Sequence, residues 1–200
     1  MENDFLSEVT KLILEKNINF IQNEEKWIEN QQSFWKKNKI TKKLEYMVGN
    51  KEMDLIDKNS TLKLFNYLNS KKIINIPEDY IFELAAGNGR VTESILCKLF
   101  NKIDVLEQSD KLASNIQILQ KDNKNIKTIY VKNVENFYFQ RKYNIIFAEW
   151  LFGNLTDSDA LSVLLKCKFN LEENGIIIIK DNINEKFTVY SENFNQKIRT

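Results

Sequence analysis

The chain has 200 residues, of which 42% are hydrophobic and 28% are charged, proportions typical of one globular domain with its own core. Its formal net charge of +1 gives no support for a broad basic surface, so we expect no nucleic-acid partner. It contains no histidine, which excludes imidazole metal sites and Ser-His or Cys-His nucleophiles, and we expect no metal.

Compartment and partners are predicted from equally simple features. No stretch approaches the roughly 20 apolar residues that a membrane span needs, so we expect no membrane partner. The acidic start MENDFLSEVTK lacks a signal-peptide pattern, which predicts a cytoplasmic protein, with the nucleus as an alternative. Cys97 and Cys167 lie in apolar helical patterns and are expected to be buried, reduced thiols. We expect a monomer.

The first third of the chain is predicted to be mostly helical. Apolar residues at helical spacing predict amphipathic helices over residues 2–17 and 24–39. Residues 47–57 mix apolar and polar types irregularly and contain a glycine, which predicts a loop. Asn59 and Ser60 then cap a predicted helix that runs to residue 68. The single proline, Pro77, marks the break before the rest of the domain.

From residue 80 onward, short apolar runs alternate with longer amphipathic stretches. The runs YIFEL, IDVLE, IKTIYV, NIIFAEW and GIIIIK are typical of parallel strands that are covered on both faces. A helix is predicted over residues 158–171, ended by Asn174-Gly175, with these side chains facing inward: Leu161, Leu164, Leu165 and Phe169. The sequence therefore predicts a doubly wound α/β fold in one domain over residues 1–200, with a helical cap (1–76), a core (77–182) and a tail (183–200).

A ligand site is predicted where the first strand of this core ends, in YIFELAAGNGRV. The glycines Gly87 and Gly89 let a ligand approach the backbone closely, and Glu107 follows the next strand about twenty residues later, where it can accept both hydroxyls of a ribose. Ala85 stands where a dinucleotide site would have its first glycine, and Arg90 can pair with a carboxylate. A cofactor with a ribose and a carboxylate end fits better than a pyrophosphate, and S-adenosylmethionine is such a cofactor.

Four motifs in order carry a resemblance to a known family. ELAAGNGRVT, DVLEQSDKL, FAEWLFGNLTD and ENGIIIIKDN resemble the protein N-terminal α-amine methyltransferases, which act on amino termini beginning Xaa-Pro-Lys, and FWKKNKITKKLEYMVGN resembles their substrate-side segment. The resemblance covers about residues 24–182. It implies a Rossmann-like class I methyltransferase sheet, S-adenosylmethionine as cofactor and a protein or peptide N-terminus as the acceptor.

The resemblance also implies roles for individual residues. The cofactor-binding set is Glu83, Ala85, Gly87, Gly89, Arg90, Glu107, Gln108, Val134, Glu135 and Glu149, of which Val134 and Glu135 would flank the adenine and Glu107 would hold the ribose. The acceptor peptide would meet Trp35, Val48, Gly49 and Trp150. The catalytic positions would be Asn154, Asp181 and Asn182, with Asn182 on the acceptor amine.

The chain departs from the family pattern at four places, one of which is Ala85 in place of the first loop glycine. Asn154 stands where the family has a histidine, and an Asp-rich stretch after K-D-N is replaced by INEKFTVYSENFNQ. The family also has a closing helix and a C-terminal β-hairpin that complete the sheet, and here we expect either that this edge is missing or that the sheet is closed in another way. Two other functions therefore stay open: a catalytically weak cofactor-binding scaffold, and a methyltransferase for another peptide or a small amine.

Overall fold

The computed structural model describes residues 50–183, 189–191 and 196–198. The helices predicted over residues 2–17 and 24–39 lie outside this range. So do the predicted acceptor-side residues Trp35, Val48 and Gly49.

The centre of the fold is a five-stranded sheet in which every neighbouring pair is parallel. In chain order its strands are β1 (Tyr80–Leu84), β2 (Lys102–Glu107), β3 (Ile126–Val131), β4 (Tyr143–Glu149) and β5 (Leu171–Lys180). Their order in space is β3-β2-β1-β4-β5, so the direction of winding reverses at β1. All five predicted strands are present. In such a sheet, ligands bind at the carboxyl ends of the strands beside this reversal.

Both faces of the sheet are covered, which explains the uninterrupted apolar runs. Alternate strand residues point to opposite faces. Ile81 and Val105 therefore lie in one buried cluster, which also takes Phe65, while Phe82 and Leu106 lie in the other. The predicted doubly wound α/β fold is confirmed.

The helices divide between these two faces. They are α1 (Lys51–Ser70), α2 (Cys97–Leu99), which continues a π-helical turn at Thr92–Leu96, α3 (Asp110–Asp122) and α4 (Asp157–Phe169). Phe65 of α1 and Ile116 of α3 pack in one cluster, and Val163 of α4 packs in the other. Short 3-10 turns at Val134–Asn136 and Phe152–Asn154 follow β3 and β4.

The loop predicted over residues 47–57 is wrong from Lys51 onward, because α1 begins there. The Asn50 side chain accepts a hydrogen bond from the Met53 N–H, and two acids lie in the first turn. The pattern of apolar residues did not predict this half of α1, because the residues that it buries, Asp57 and Thr61, are polar. A helix whose buried face is polar has no apolar stripe to detect.

The predicted end of the helix at Asn174-Gly175 is also wrong. Helix α4 ends at Phe169, the side-chain amide of its C-cap Asn170 donates to the Lys166 carbonyl, and β5 begins at Leu171. Asn174 adopts a left-handed conformation (φ 61°) inside β5, where the pairing with β4 shifts register. The predicted inward face of α4 is displaced too, since Phe169 is exposed and the buried positions are Ala160, Val163 and Cys167.

The C-terminal residues that the structure describes add no strand to the five-stranded sheet. Strands β6 (Val189–Ser191) and β7 (Gln196–Ile198) pair antiparallel in a second, two-stranded sheet. Within the described part of the chain, no helix is long and apolar enough to span a bilayer.

Candidate functional site

A cavity that is partly open to solvent lies at the carboxyl ends of β1, β2 and β4. This edge of a parallel sheet is where small-molecule ligands usually bind. Its walls come from the loop after β1, from the residues at the end of β2, from α3 and from the turn after β4. The lining residues are Glu83, Leu84, Ala85, Ala86, Gly87, Asn88, Arg90, Val91, Glu107, Gln108, Leu112, Glu149, Trp150, Leu151 and Asn154.

The loop after β1 turns sharply and forms one wall. Ala85, Gly87 and Gly89 all have positive φ angles, of 53°, 60° and 83°. A β-carbon at Gly89 would lie 2.9 Å from Ile116 Cγ1 on α3, so the glycine there serves close packing as well as the turn. Gly87 has no side chain, so a ligand can approach its backbone closely, as predicted. Its N–H points toward Glu107 at the end of β2.

Glu107 ends β2 and joins this loop to α3. Its Oε2 accepts a hydrogen bond from the Gly87 N–H and its Oε1 accepts one from the Ser109 N–H, both at 2.8 Å. Burial raises the pKa of Glu107 to about 7, although these backbone donors lower it. The carboxyl group is thus fixed in position, and each oxygen has further lone pairs for hydroxyl groups of a ligand.

Glu83 on β1 is buried below the loop. Its Oε2 accepts a hydrogen bond from Thr92 Oγ1 at 2.5 Å, which ties β1 to the helical turn after the loop. Burial raises the pKa of Glu83 to about 8. At neutral pH this carboxyl group is therefore mostly protonated and holds the floor of the cavity together.

Arg90 also lines the cavity, and its side chain is only 6% exposed. Its NH2 lies 2.6 Å from Asp57 Oδ2 and 3.4 Å from Glu149 Oε2, and its NH1 lies 3.2 Å from Asp54 Oδ1. It also lies 5.5 Å from the centre of the Trp150 ring. Arg90 therefore has acidic partners on α1 and at the end of β4, and it borders the cavity.

A second cation, Lys180 at the end of β5, completes this arrangement. Its Nζ lies 2.5 Å from Asp57 Oδ1 and 2.6 Å from Glu149 Oε1. Burial raises the pKa of Asp57, but hydrogen bonds and charge from Lys180 and Arg90 outweigh it and the pKa is lowered. Burial raises the pKa of Glu149, with the Asp57 charge adding to the effect. We call the following six residues the ionic cluster: Asp54, Asp57, Lys58, Arg90, Glu149 and Lys180.

The turn after β4 forms another wall of the cavity. Trp150 has φ 55°, an uncommon and costly conformation for a bulky residue. The Asn154 side-chain amide donates to the Trp150 carbonyl at 2.7 Å, and Asp181 Oδ2 accepts from the Gly153 N–H at 3.0 Å. Asp181 thus acts on the turn that carries Asn154.

The structure brings most of the predicted site residues together, but five of the described ones do not line the cavity. Gly89 belongs to the loop that forms its wall and Asp181 binds the turn after β4, whereas Val134, Glu135 and Asn182 lie elsewhere. Val134 is buried in the core with Leu84 and Leu106. The Glu135 carbonyl accepts from Lys166 Nζ, and Asn182 is exposed, with its N–H donating to Asp181 Oδ1. The roles assigned to Val134, Glu135 and Asn182 stay predictions.

Several residues of the site were not predicted. Leu112 lines the cavity and lies just after the Ser109 N-cap of α3, a signal that the sequence carries. Asp57, Thr61 and Lys180 surround Glu149, yet nothing in their local sequence marks them, because they meet only in the folded protein.

These groups fit the chemistry of S-adenosylmethionine. Arg90 offers a cation for a carboxylate, Glu149 lies beside it at the cavity, and Glu107 lies where hydroxyl groups can bind. Across the described residues, no group of three His, Cys, Asp or Glu side chains could hold a metal ion. The fold and the pocket together define the class: a parallel α/β domain that binds a ribose-bearing donor, as class I methyltransferases do.

Comparison with known proteins identifies the family. The sequence model of the AdoMet dependent proline di-methyltransferases matches residues 23–199, and the chain belongs to this family. The chain is 29% identical over 187 residues to alpha N-terminal protein methyltransferase 1 of Dictyostelium discoideum, covering 88% of this chain and 67% of that protein. It is 26% identical to N-terminal Xaa-Pro-Lys N-methyltransferase 1 of Homo sapiens, covering 86% of this chain and 78% of that protein.

A solved structure supports the fold. A SAM-dependent methyltransferase of Leishmania major superposes with a TM-score of 0.75 at 19% identity, covering 87% of this chain and 68% of that one. The family, the class I fold and the dependence on S-adenosylmethionine predicted above are confirmed.

Proposed function

We propose that this protein transfers a methyl group from S-adenosylmethionine to the α-amine of a protein or peptide N-terminus. One observation carries the proposal: within a chain of this family, a single cavity presents Arg90 and Glu149 on one side and Glu107 on the other. The names of relatives that act on N-terminal Xaa-Pro-Lys sequences support this acceptor.

The residues of the pocket bind and orient the donor. Arg90 pairs with its carboxylate, and Glu107 accepts hydrogen bonds from its ribose hydroxyls. Trp150 and Asn154 border the cavity beside Glu149 and would meet the acceptor. When bound, S-adenosylmethionine supplies a methyl group that its positive sulfur activates toward a neutral amine. Holding acceptor and donor in line accounts for most of the acceleration.

An α-amine acceptor suits a chain that has no histidine. An α-amine has a pKa near 7.7–8.0, so roughly a tenth of it is neutral at pH 7. A lysine side chain would cost about 3.4 kcal/mol more to present as the neutral amine. The acceptor therefore needs little help from a base, and its neutral form can be taken directly from solution.

Glu149 is poorly placed to act as that base. Its Oε1 is bound by Lys180 and Thr61, and its Oε2 faces Arg90. Both oxygens are turned toward these partners and not toward an acceptor, although burial raises the pKa of Glu149. We assign Glu149 to donor binding and expect the acceptor's proton to leave to solvent.

Methyl transfer to matched peptides tests the proposal. The protein is incubated with S-adenosylmethionine and three peptides: one beginning Xaa-Pro-Lys, the same peptide with an acetylated N-terminus, and one with glutamine in place of the lysine. Mass spectrometry should find methyl groups on the first peptide and none on the acetylated one. The glutamine peptide reports whether the third-position lysine matters. No transfer to any peptide, although S-adenosylhomocysteine binds, would contradict the proposal.

A catalytically weak scaffold is the second candidate function, and the hydrogen bonding of Asn154 favours it. Its amide donates to the Trp150 carbonyl and so has a structural task in the turn. If the scaffold hypothesis holds, Asn154→His should raise methyl transfer from a trace to a clear signal. Turnover of the unaltered protein at a rate usual for enzymes, on the order of 1 per second or more, would exclude the scaffold.

A further inference from the structure

Lys180 joins three elements at the back of the donor pocket. It is the last residue of β5, and its carbonyl accepts the Trp150 N–H at 2.9 Å. Its side chain is 22% exposed, and Nζ reaches Glu149 Oε1 at 2.6 Å, Asp57 Oδ1 at 2.5 Å and Thr61 Oγ1 at 2.7 Å. One ammonium group therefore connects α1 to the end of β4, on the side of Glu149 away from Arg90.

The two oxygens of Glu149 have different partners. Oε1 faces Lys180 and accepts the Thr61 hydroxyl at 3.1 Å, whereas Oε2 faces Arg90 at 3.4 Å. The ionisable groups that face Glu149 are Asp57 on α1, Glu83 on β1, Arg90 after the loop, and Lys180 on β5. Without the ammonium, the charged groups facing this carboxylate, which is only 6% exposed, would be Asp57 and the guanidinium of Arg90.

Such a carboxylate is expected to take up a proton, because burial and the Asp57 charge already raise its pKa. Neutral Glu149 would no longer attract Arg90. The guanidinium would then be held by Asp57 and Asp54 alone, both on α1, which draws it away from the cavity. The donor's carboxylate would lose its partner.

We propose that Lys180 is a positioning residue of the donor pocket, whose ammonium holds the Glu149 carboxylate beside Arg90 and so keeps Arg90 at the cavity. Lys180 itself does not line the cavity. The inference rests on the donor half of the proposed function and is independent of the acceptor.

Binding of S-adenosylhomocysteine to three variants tests this role. Lys180→Met removes the ammonium, and Lys180→Arg keeps the charge. Lys58→Met is the matched control: Lys58 is 21% exposed and lies 2.6 Å from Asp54 Oδ2, so the same charge is lost from the ionic cluster without touching Glu149. Calorimetry from about pH 7 to about pH 9 gives each dissociation constant, and unfolding without ligand gives each stability.

At about pH 7, Lys180→Met should weaken binding about tenfold or more, the effect of losing one charged hydrogen bond. The loss should shrink as the pH rises, because Glu149 regains its charge. Lys180→Arg should restore binding, and Lys58→Met should weaken it less than about fivefold. If Lys180→Met does not fold, Lys180→Gln, which keeps hydrogen-bonding capacity without charge, should show the same pH-dependent loss.

Any one of four results would overturn the proposal. They are unchanged binding by the neutral variants, a loss that does not vary with pH, an equal loss in Lys58→Met, and failure of Lys180→Arg to restore binding. Peptide methylation is not measured, so a wrong acceptor leaves this outcome unaffected. A wrong donor pocket shows itself separately, since the unaltered protein would then not bind S-adenosylhomocysteine.

Discussion

The two halves of the donor pocket are built in different ways. On the ribose side, Glu107 is held by the backbone N–H groups of Gly87 and Ser109, which lie 20 and 2 residues away in the chain. On the amino-acid side, Arg90 and Glu149 depend on Asp57 and Lys180, two residues that are 123 positions apart. One half is a local backbone structure and the other is a long-range arrangement of charges.

The difference shows in the electrostatics. Burial dominates at Glu107 and raises its pKa to about 7, because backbone dipoles compensate it only in part. In the ionic cluster, by contrast, Arg90 and Lys180 bring the pKa of Asp57 below its usual range despite its burial. The ribose side should therefore respond to pH near neutrality, and the amino-acid side should respond most to loss of a charge.

The largest expected effect is that of Arg90→Met. Removing the guanidinium leaves Asp57, Glu149 and Asp54 with two lysines, and uncompensated buried charge costs about 3–5 kcal/mol of stability. Urea unfolding at neutral pH measures this loss, and S-adenosylhomocysteine binding should disappear with it. Arg141→Met is the control, since Arg141 is half exposed and 3.8 Å from Asp104, and should cost about 1 kcal/mol or less. Equal losses in the two variants would mean that the cluster has no special electrostatic role.

The next effect concerns pH and Glu107. Its pKa in the folded protein, about 7, lies above the ordinary value of 4.5, so the folded state binds more protons between these limits. The free energy of unfolding therefore includes a contribution from protonated Glu107 that is complete below pH 4.5. This contribution falls by about 3 kcal/mol as the pH rises from there through 7. Glu83, with its pKa raised to about 8, should extend the decline.

Urea unfolding of the wild type and of Glu107→Gln over this pH range measures the share of Glu107. The glutamine variant should gain stability relative to the wild type as the pH rises. A difference that stays constant with pH would contradict the raised pKa.

Glu107→Gln should also separate binding from folding. A neutral amide cannot accept both backbone N–H groups and two hydroxyls, and a lost charged hydrogen bond is worth about 1.5–3 kcal/mol, roughly 10- to 150-fold in affinity for S-adenosylhomocysteine. Calorimetry measures the loss, which should grow above pH 7, where the wild-type carboxyl group is ionised. Gln117→Ala on α3 is the control, because Gln117 is exposed, does not line the cavity and should change affinity far less. Unchanged affinity in Glu107→Gln would remove Glu107 from the ribose site.

The smallest effect is expected for Asp54→Asn at the rim of the ionic cluster. Asp54 is 13% exposed and shares its charge between Lys58 and Arg90, while Arg90 keeps Asp57 and Glu149. A partly solvated pair contributes about 1 kcal/mol or less. Thermal unfolding compares this variant with Glu52→Gln, an exposed acid of the same helix turn. A loss of stability as large as that of Arg90→Met would show that residues at the rim of the cluster contribute as much stability as those at its centre.

The ribose half could be predicted from the sequence because each of its parts is local. The apolar run before Gly87, the left-handed turn that glycine allows, and an acid after the next strand are all visible in one stretch of about 30 residues. The same reasoning placed all five strands, since an uninterrupted Ile- and Val-rich run is the pattern of a strand buried on both faces. Arg90 was predicted as well, but as a free cation and without its three acids.

The sequence alone determined the α/β sheet, the glycine turn and Glu107, because periodicity and turn chemistry act over a few residues. Only the tertiary structure decided that α1 begins at Lys51, that Asp57 and Lys180 flank Glu149, and that Asp181 holds the turn of Asn154. The reason is physical: an ion pair between residues 123 positions apart leaves no local pattern, and its strength depends on the burial that only the packed sheet provides.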